Sequence, residues 1–166
     1  MTLAGLNALP DEGAVAAFLR CCGSIRWARM MTAARPFASV DRMSARADAI
    51  WSSLSAADCL EAFGKHPRIG EAGGGRWSSE EQADASPATQ AVRDRLAAAN
   101  REYEARFGYI FIVCAAGRRA GEILTMLEHR LTNAADAELL VAAEEQRRIT
   151  RLRLAKLIDG EKVATA

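Results

Sequence analysis

Helix-length stretches follow one another along almost the whole chain, most of them opened by a capping residue or a proline and several closed by a glycine. That punctuation points to an all-α protein. Pro10-Asp11-Glu12 opens a helix to about Cys22, with Val15, Phe18 and Leu19 at helical spacing, and Gly23 ends it. Ser24 to Ala34 carries Ile25, Trp27, Ala28 and Met31 and stops before Arg35-Pro36-Phe37. Ser39 caps a third helix reaching Trp51 and Leu54. Ser55-Ala56-Ala57-Asp58 has the spacing of a capping box and starts a short helix through Phe63. From Gly64 to Trp77 the periodicity vanishes, and Pro67, Gly70 and Gly73-Gly74-Gly75 make an irregular loop. Ser78 restarts a helix, and Ser86-Pro87 places a cap before a proline at the first helical position of another, which runs to about Arg106. Gly108 breaks it before the extended apolar run Tyr109–Cys114. A helix from about Arg119 to Leu131 follows, and Asn133 caps the last long one, about Ala134 to Ile158. Abundant alanine and few β-branched clusters agree with this reading. The expectation is one compact all-α domain of seven to eight helices.

Composition narrows the function classes. A chain of 166 residues, 50% apolar and 26% charged, builds one ordinary hydrophobic core. A formal charge of +1 supplies no global attraction to nucleic acid or anionic membrane. No apolar run reaches the roughly 18–20 residues of a membrane span, and Met1–Asn7 lacks the layout of a secretory signal. Cys21, Cys22, Cys59 and Cys114 form no C-x-x-C pair, so reduced thiols in a cytosolic protein are expected.

Four features bear on chemistry. His66, one of only two histidines, lies in Phe63-Gly64-Lys65-His66-Pro67-Arg68-Ile69-Gly70. Pro67 pushes it toward extended backbone, and imidazole exchanges protons near neutral pH. The run fits a proton-transfer residue or a hydrogen-bonding loop histidine. Glu81 follows Ser78 at the S-x-x-E spacing, which suits a capping box as well as a catalytic carboxylate. Arg153 lies on a helical wheel between Ile149 and Leu157, with Ala142 and Leu139 on the same side. An arginine there must snorkel, pair with a carboxylate or await an anion. Arg147, Arg148 and Arg151 read as surface charge. Phe111–Cys114 is either core or one wall of a pocket. Cys114 has apolar flanks that raise a thiol pKa and disfavour it as a nucleophile. No metal-ligand spacing, phosphate loop or Gly-x-Ser-x-Gly elbow is present.

Six motifs then occur in order: Asn7-Ala8-Leu9-Pro10, Arg35-Pro36-Phe37, Gly64-Lys65-His66-Pro67-Arg68-Ile69-Gly70, Ser78-x-x-Glu81-Gln82, Asn100-x-x-Tyr103-x-x-x-Phe107-Gly108-x-x-Phe111, and Ile149-Thr150-Arg151-Leu152-Arg153-Leu154. The series resembles 2-oxo-4-hydroxy-4-carboxy-5-ureidoimidazoline (OHCU) decarboxylase over residues 3 to 158, within a single domain of residues 1–166. The resemblance implies an all-helical homodimer that works without metal or organic cofactor. It also implies conversion of OHCU to (S)-allantoin and carbon dioxide. Carried over by motif, His66 is the catalytic histidine and Glu81 the acidic partner. Ser78 and Gln82 line the substrate pocket, Pro67 and the segment Phe111, Ile112, Val113, Cys114 and Ala115 form its remaining wall, and Arg153 faces the substrate. Three departures from the commoner pattern stand out: Arg68 where an acid is usual, Ile110 where a proline is usual, and a loop from His66 to Ser78 shorter than in eukaryotic members. The ending Val163-Ala164-Thr165-Ala166 carries no Ser-Lys-Leu-type address, which fits a cytosolic bacterial member. The competing reading is a noncatalytic helical module that binds a small ureide or a partner helix.

Overall fold

The computed structural model describes residues 1–68 and 87–158. Among these are eight helices and no strand: α1 (Leu3–Ala8), α2 (Asp11–Cys21), α3 (Ile25–Ala33), α4 (Val40–Ser52), α5 (Ala56–Phe63), α6 (Pro87–Phe107), α7 (Ala120–Arg130) and α8 (Ala135–Ile158). The chain divides into two compact units, one of Met1–Ala62 with the chain from Gln146 onward, the other of Phe63–Glu145.

Ser39 and the Ser55–Asp58 box cap where the sequence put them, and Ser24, read there as the first helical residue, is the cap of α3. Ser24 and Ser39 accept from the amides of Trp27 and Arg42 at 3.2 Å each. Ser55 and Asp58 bond reciprocally, with the Ser55 amide on Asp58 Oδ2 at 3.0 Å and the Asp58 amide on Ser55 Oγ at 3.3 Å. This grip holds the Asp58 carboxyl below the usual range, the Ser55 bonds being the main cause. Gly108 ends α6 at φ +79°, backbone that a side chain would strain. One helix lay outside the sequence reading: α1, whose amide at Gly5 is capped by Thr2 Oγ1 at 2.8 Å. The start near Pro10 is that of the second helix.

In the first unit, Phe18 meets the rings of Trp27 and Phe37 edge-on, and Trp27 Nε1 donates to the Ala47 carbonyl at 3.1 Å, tying α3 to α4. Two of the recognised motifs are structural here. The Asn7 amide exchanges both of its bonds with the Phe37 backbone, at 2.9 Å each. Arg35 donates to the carbonyls of Leu6 at 3.0 Å and Leu9 at 2.7 Å, and its far nitrogen reaches Asp11 at 2.7 Å. The carbonyls left open where α1 ends thereby find a donor.

The second unit packs Leu96, Ala99, Tyr103, Phe111, Val113, Ile123 and Leu127 into one core. Its polar centre is a buried ion pair. Glu138 is fully buried and accepts from Arg130 Nε at 2.8 Å, Arg130 Nη2 at 2.5 Å, Asn133 Nδ2 at 2.8 Å and the Tyr103 hydroxyl. Asn133 therefore donates to Glu138, where the sequence suggested a helix cap. Burial, and then the bond to Glu138, push the Tyr103 phenol above its usual range.

Along α8 the buried residues are Glu138, Ala142, Glu145, Gln146, Thr150, Leu154 and Ile158. Of the stripe expected through Leu139, Ala142, Ile149, Arg153 and Leu157, Ala142 is buried and the other four lie to one side, half-buried. Polar residues occupy the deepest line where partners meet them, as Glu138 and Glu145 are met by Arg130 and the Cys114 amide and Gln146 Nε2 by Thr150 Oγ1 at 3.2 Å. Nor are Arg147 and Arg151 plain surface charge. Both close on Asp48 of α4, Arg147 at 3.1 Å and Arg151 Nε at 2.9 and 3.0 Å.

Candidate active site

His66 stands just past α5 in the second unit, half-buried and outside any helix. Its amide donates to the Phe63 carbonyl at 3.0 Å, a turn that hangs the imidazole from the end of the helix. Pro67 follows and is exposed. Arg68 then clasps Glu104 of α6 through two nitrogens, at 2.5 and 3.0 Å. The departure from an acidic residue after His-Pro thus has a local reason: a carboxylate faces that position, and an arginine fork fits it.

A line of rings leads from this turn to the apolar segment. The Phe63 ring meets Tyr109 at a tilt, 5.4 Å between centroids, Tyr109 meets Tyr103 at 5.8 Å, and Tyr103 meets Phe111 at 5.2 Å. Phe111, Ile112 and Val113 are buried, whereas Cys114 and Ala115 are half-exposed. Residues 110–115 adopt no helix, strand or turn. Arg130 Nη1 holds the Ile112 carbonyl at 2.8 Å, and its guanidinium lies 4.5 Å over the Phe111 ring. The Cys114 amide donates to Glu145 Oε2 at 2.7 Å, so it is engaged internally. The three buried residues are core, and the same segment emerges at Cys114 and Ala115.

Ser78, Glu81 and Gln82 lie outside the described residues. Arg153 belongs to the first unit, where it is half-buried with Nη1 at 3.5 Å from the Cys21 carbonyl. Burial pushes the Cys21 thiol up to about 11 against the opposing charge of Arg153, and Cys22 and Cys59 are raised to about 11 for the same main reason. All four cysteines are free thiols. Among the described residues no group of three or more metal-ligating side chains converges, and no helix is long and apolar enough to cross a membrane.

Arg130, Glu138 and Glu145 escaped the sequence reading. The signal available was a buried-face position on α7 for Arg130, matched by carboxylates at the start and middle of the next helix. Charge on a helix face is more often solvated, so the pattern carried little weight by itself.

The OHCU decarboxylase family profile matches residues 7–155. The uric acid degradation bifunctional protein TTL of Arabidopsis thaliana is 39% identical over 149 residues, which are 85% of this chain and 46% of that protein. This chain thus corresponds to about half of that relative's length. The 2-oxo-4-hydroxy-4-carboxy-5-ureidoimidazoline decarboxylase of Haloferax volcanii is 27% identical over 97% of this chain and 98% of its own. Among solved structures, OHCU decarboxylase in the presence of (S)-allantoin superposes with a TM-score of 0.77 at 36% identity, covering 91% of this chain and 99% of that one. An (S)-allantoin synthase shares the fold, with a TM-score of 0.72 at 20% identity over 96% of this chain and 55% of that one. With the profile running through nearly all of its length, the chain belongs to the OHCU decarboxylase family.

Proposed function

We propose that this chain decarboxylates OHCU to (S)-allantoin, with His66 as its acid–base residue. Losing carbon dioxide breaks the bond from the carboxylate to the carbon that also bears the hydroxyl. The electron pair released forms a double bond to the neighbouring ring carbon, and the pair of that carbon's C=N bond moves onto nitrogen, which takes a proton. The resulting enol then gives up its hydroxyl proton while the neighbouring carbon gains one, and that last protonation sets the handedness. The substrate carries its own electron sink, so positioned acid–base groups suffice.

His66 would move the hydroxyl or ring-nitrogen proton. Glu81 would orient His66 and stabilise its charge, or bind the ureido N–H groups. Gln82, Ser78 and backbone amides of the 111–115 segment would read ureido and ring carbonyls beside Pro67. Arg153 would hold a carbonyl or anionic oxygen through its fork. Too firm a hold on the departing carboxylate would stabilise the ground state, so Arg153 is assigned to another oxygen. The protein would act as a cytosolic homodimer, without metal or organic cofactor.

The observation that best supports the reading is the superposition on a decarboxylase of the same family, together with an imidazole mounted on stiff non-helical backbone in the matching motif. Generating OHCU by urate oxidation and following circular dichroism at an allantoin band tests it. Uncatalysed decay gives racemate, so the chain should yield an early signal of one hand, undiminished by chelators. A progress curve identical to the enzyme-free one would favour the noncatalytic module.

A further inference from the structure

Ile112 and Cys114 are two residues apart on a stretch that makes no helical bond, and on extended backbone such residues present their polar groups to the same edge. Side chains engage that edge at three points, the Ile112 carbonyl and the Cys114 amide and carbonyl. Arg130, itself fixed by buried Glu138, takes the Ile112 carbonyl at 2.8 Å, and Glu145 takes the Cys114 amide at 2.7 Å. Two helices thus supply, through side chains, the bonds that a neighbouring strand would make. The opposite edge carries the amides of Val113 and Ala115, and among the described residues neither has an acceptor. Two parallel donors on alternate residues of a rigid stretch match the carbonyl oxygens of a flat cyclic ureide. The Cys114 amide is excluded from that task by Glu145.

We propose that Arg130 and Glu145 are positioning residues, which lock the 111–115 segment from behind so that the Val113 and Ala115 amides read the carbonyl oxygens of the bound ureide. This rests on the decarboxylase reading and specifies which part of the segment performs recognition and what aims it. Neither side chain is given a step in the proton transfers. Their loss therefore weakens binding and loosens the orientation of the ring, and the chemical step suffers less.

The test compares Glu145→Leu, Glu145→Gln and Arg130→Lys with the wild-type chain, reading KM for OHCU, inhibition by (S)-allantoin and the optical purity of the early product. Glu145→Leu removes the acceptor, and Arg130→Lys keeps the charge beside Glu138 but gives up the fork that also reaches Ile112. Each should raise KM and the allantoin inhibition constant roughly tenfold or more, the weight of one charge-assisted bond, with a smaller change in kcat and a less pure product. Glu145→Gln restores an acceptor and should bring KM back toward the wild-type value. Asn7→Ala, which loosens the first unit, serves as the control for destabilisation: it should lower the melting temperature without moving KM. Folded Glu145→Leu and Arg130→Lys proteins with wild-type KM, inhibition and optical purity would overturn the inference while leaving the decarboxylase reading standing. A wild-type chain that forms no excess of one enantiomer would overturn both.

Discussion

Replacing His66 with asparagine lowers turnover of OHCU by about 10²–10⁴-fold, the usual worth of a positioned acid–base group, and leaves the helices intact. The fold should tolerate the change because His66 lies beyond the end of α5 and the hydrogen bond from its amide to the Phe63 carbonyl is kept by asparagine. Asparagine keeps a polar side chain in the half-buried site but cannot shuttle a proton near neutral pH. Stopped-flow circular dichroism on freshly generated substrate reads both the rate and the handedness. Rapid, single-handed allantoin formation by a folded His66→Asn chain would remove His66 from the chemistry and leave it a loop residue.

Glu138→Ala destabilises the protein by about 3–5 kcal/mol, because it strands the Arg130 guanidinium in the core without its counter-charge. Arg130 is 5% exposed and Glu138 not at all. The carboxylate also collects Asn133 and the Tyr103 hydroxyl, so four donors lose their acceptor at once. For a chain of this size the melting temperature should fall by roughly 10 °C. Glu138→Gln retains hydrogen-bonding atoms and should lose less than alanine does. Urea titrations with unchanged m-values would measure both. A loss below about 1 kcal/mol for Glu138→Ala would mean that water or a rearranged partner replaces the carboxylate, and that the pair contributes little.

The helical punctuation was the most legible part of the fold. Serine caps at 39 and 55 and the positive-φ Gly108 are local chemistry, set by a few neighbouring residues, and each sits where the sequence placed it. What escaped was anything decided by distant packing. The short α1 has only 6 residues, too few to hold as a helix by themselves, and it is tied down from some thirty positions away by Arg35 and by the Phe37 backbone on which its own Asn7 closes. On α8 the apolar pattern pointed to Leu139, Ile149 and Leu157, but the deepest line runs through Glu138, Gln146 and Thr150. Hydrophobic periodicity cannot find a buried face that carries polar side chains, whether these are met by another element, as Glu138 is by Arg130, or along the same helix, as Gln146 is by Thr150. The site divides in the same way. His66 and the emergence of the 111–115 segment could be read from Pro67, Gly108 and an apolar run, whereas the side chains that brace that segment could not. Ser78, Glu81 and Gln82 fall outside the described residues, and their roles rest on the motif.

If the chain is a decarboxylase of this kind, His66 and the 111–115 segment serve one bound ureide. Titrating the isotope-labelled chain with (S)-allantoin and following its NMR spectrum tests this directly, with His129→Gln used to assign the remaining histidine ring. The His66 ring signals and the Val113 and Ala115 amides should shift along a single saturating curve while Asn7 and Phe37 stay in place. Saturable binding that leaves His66 and residues 111–115 unmoved, or no binding at all, would contradict it.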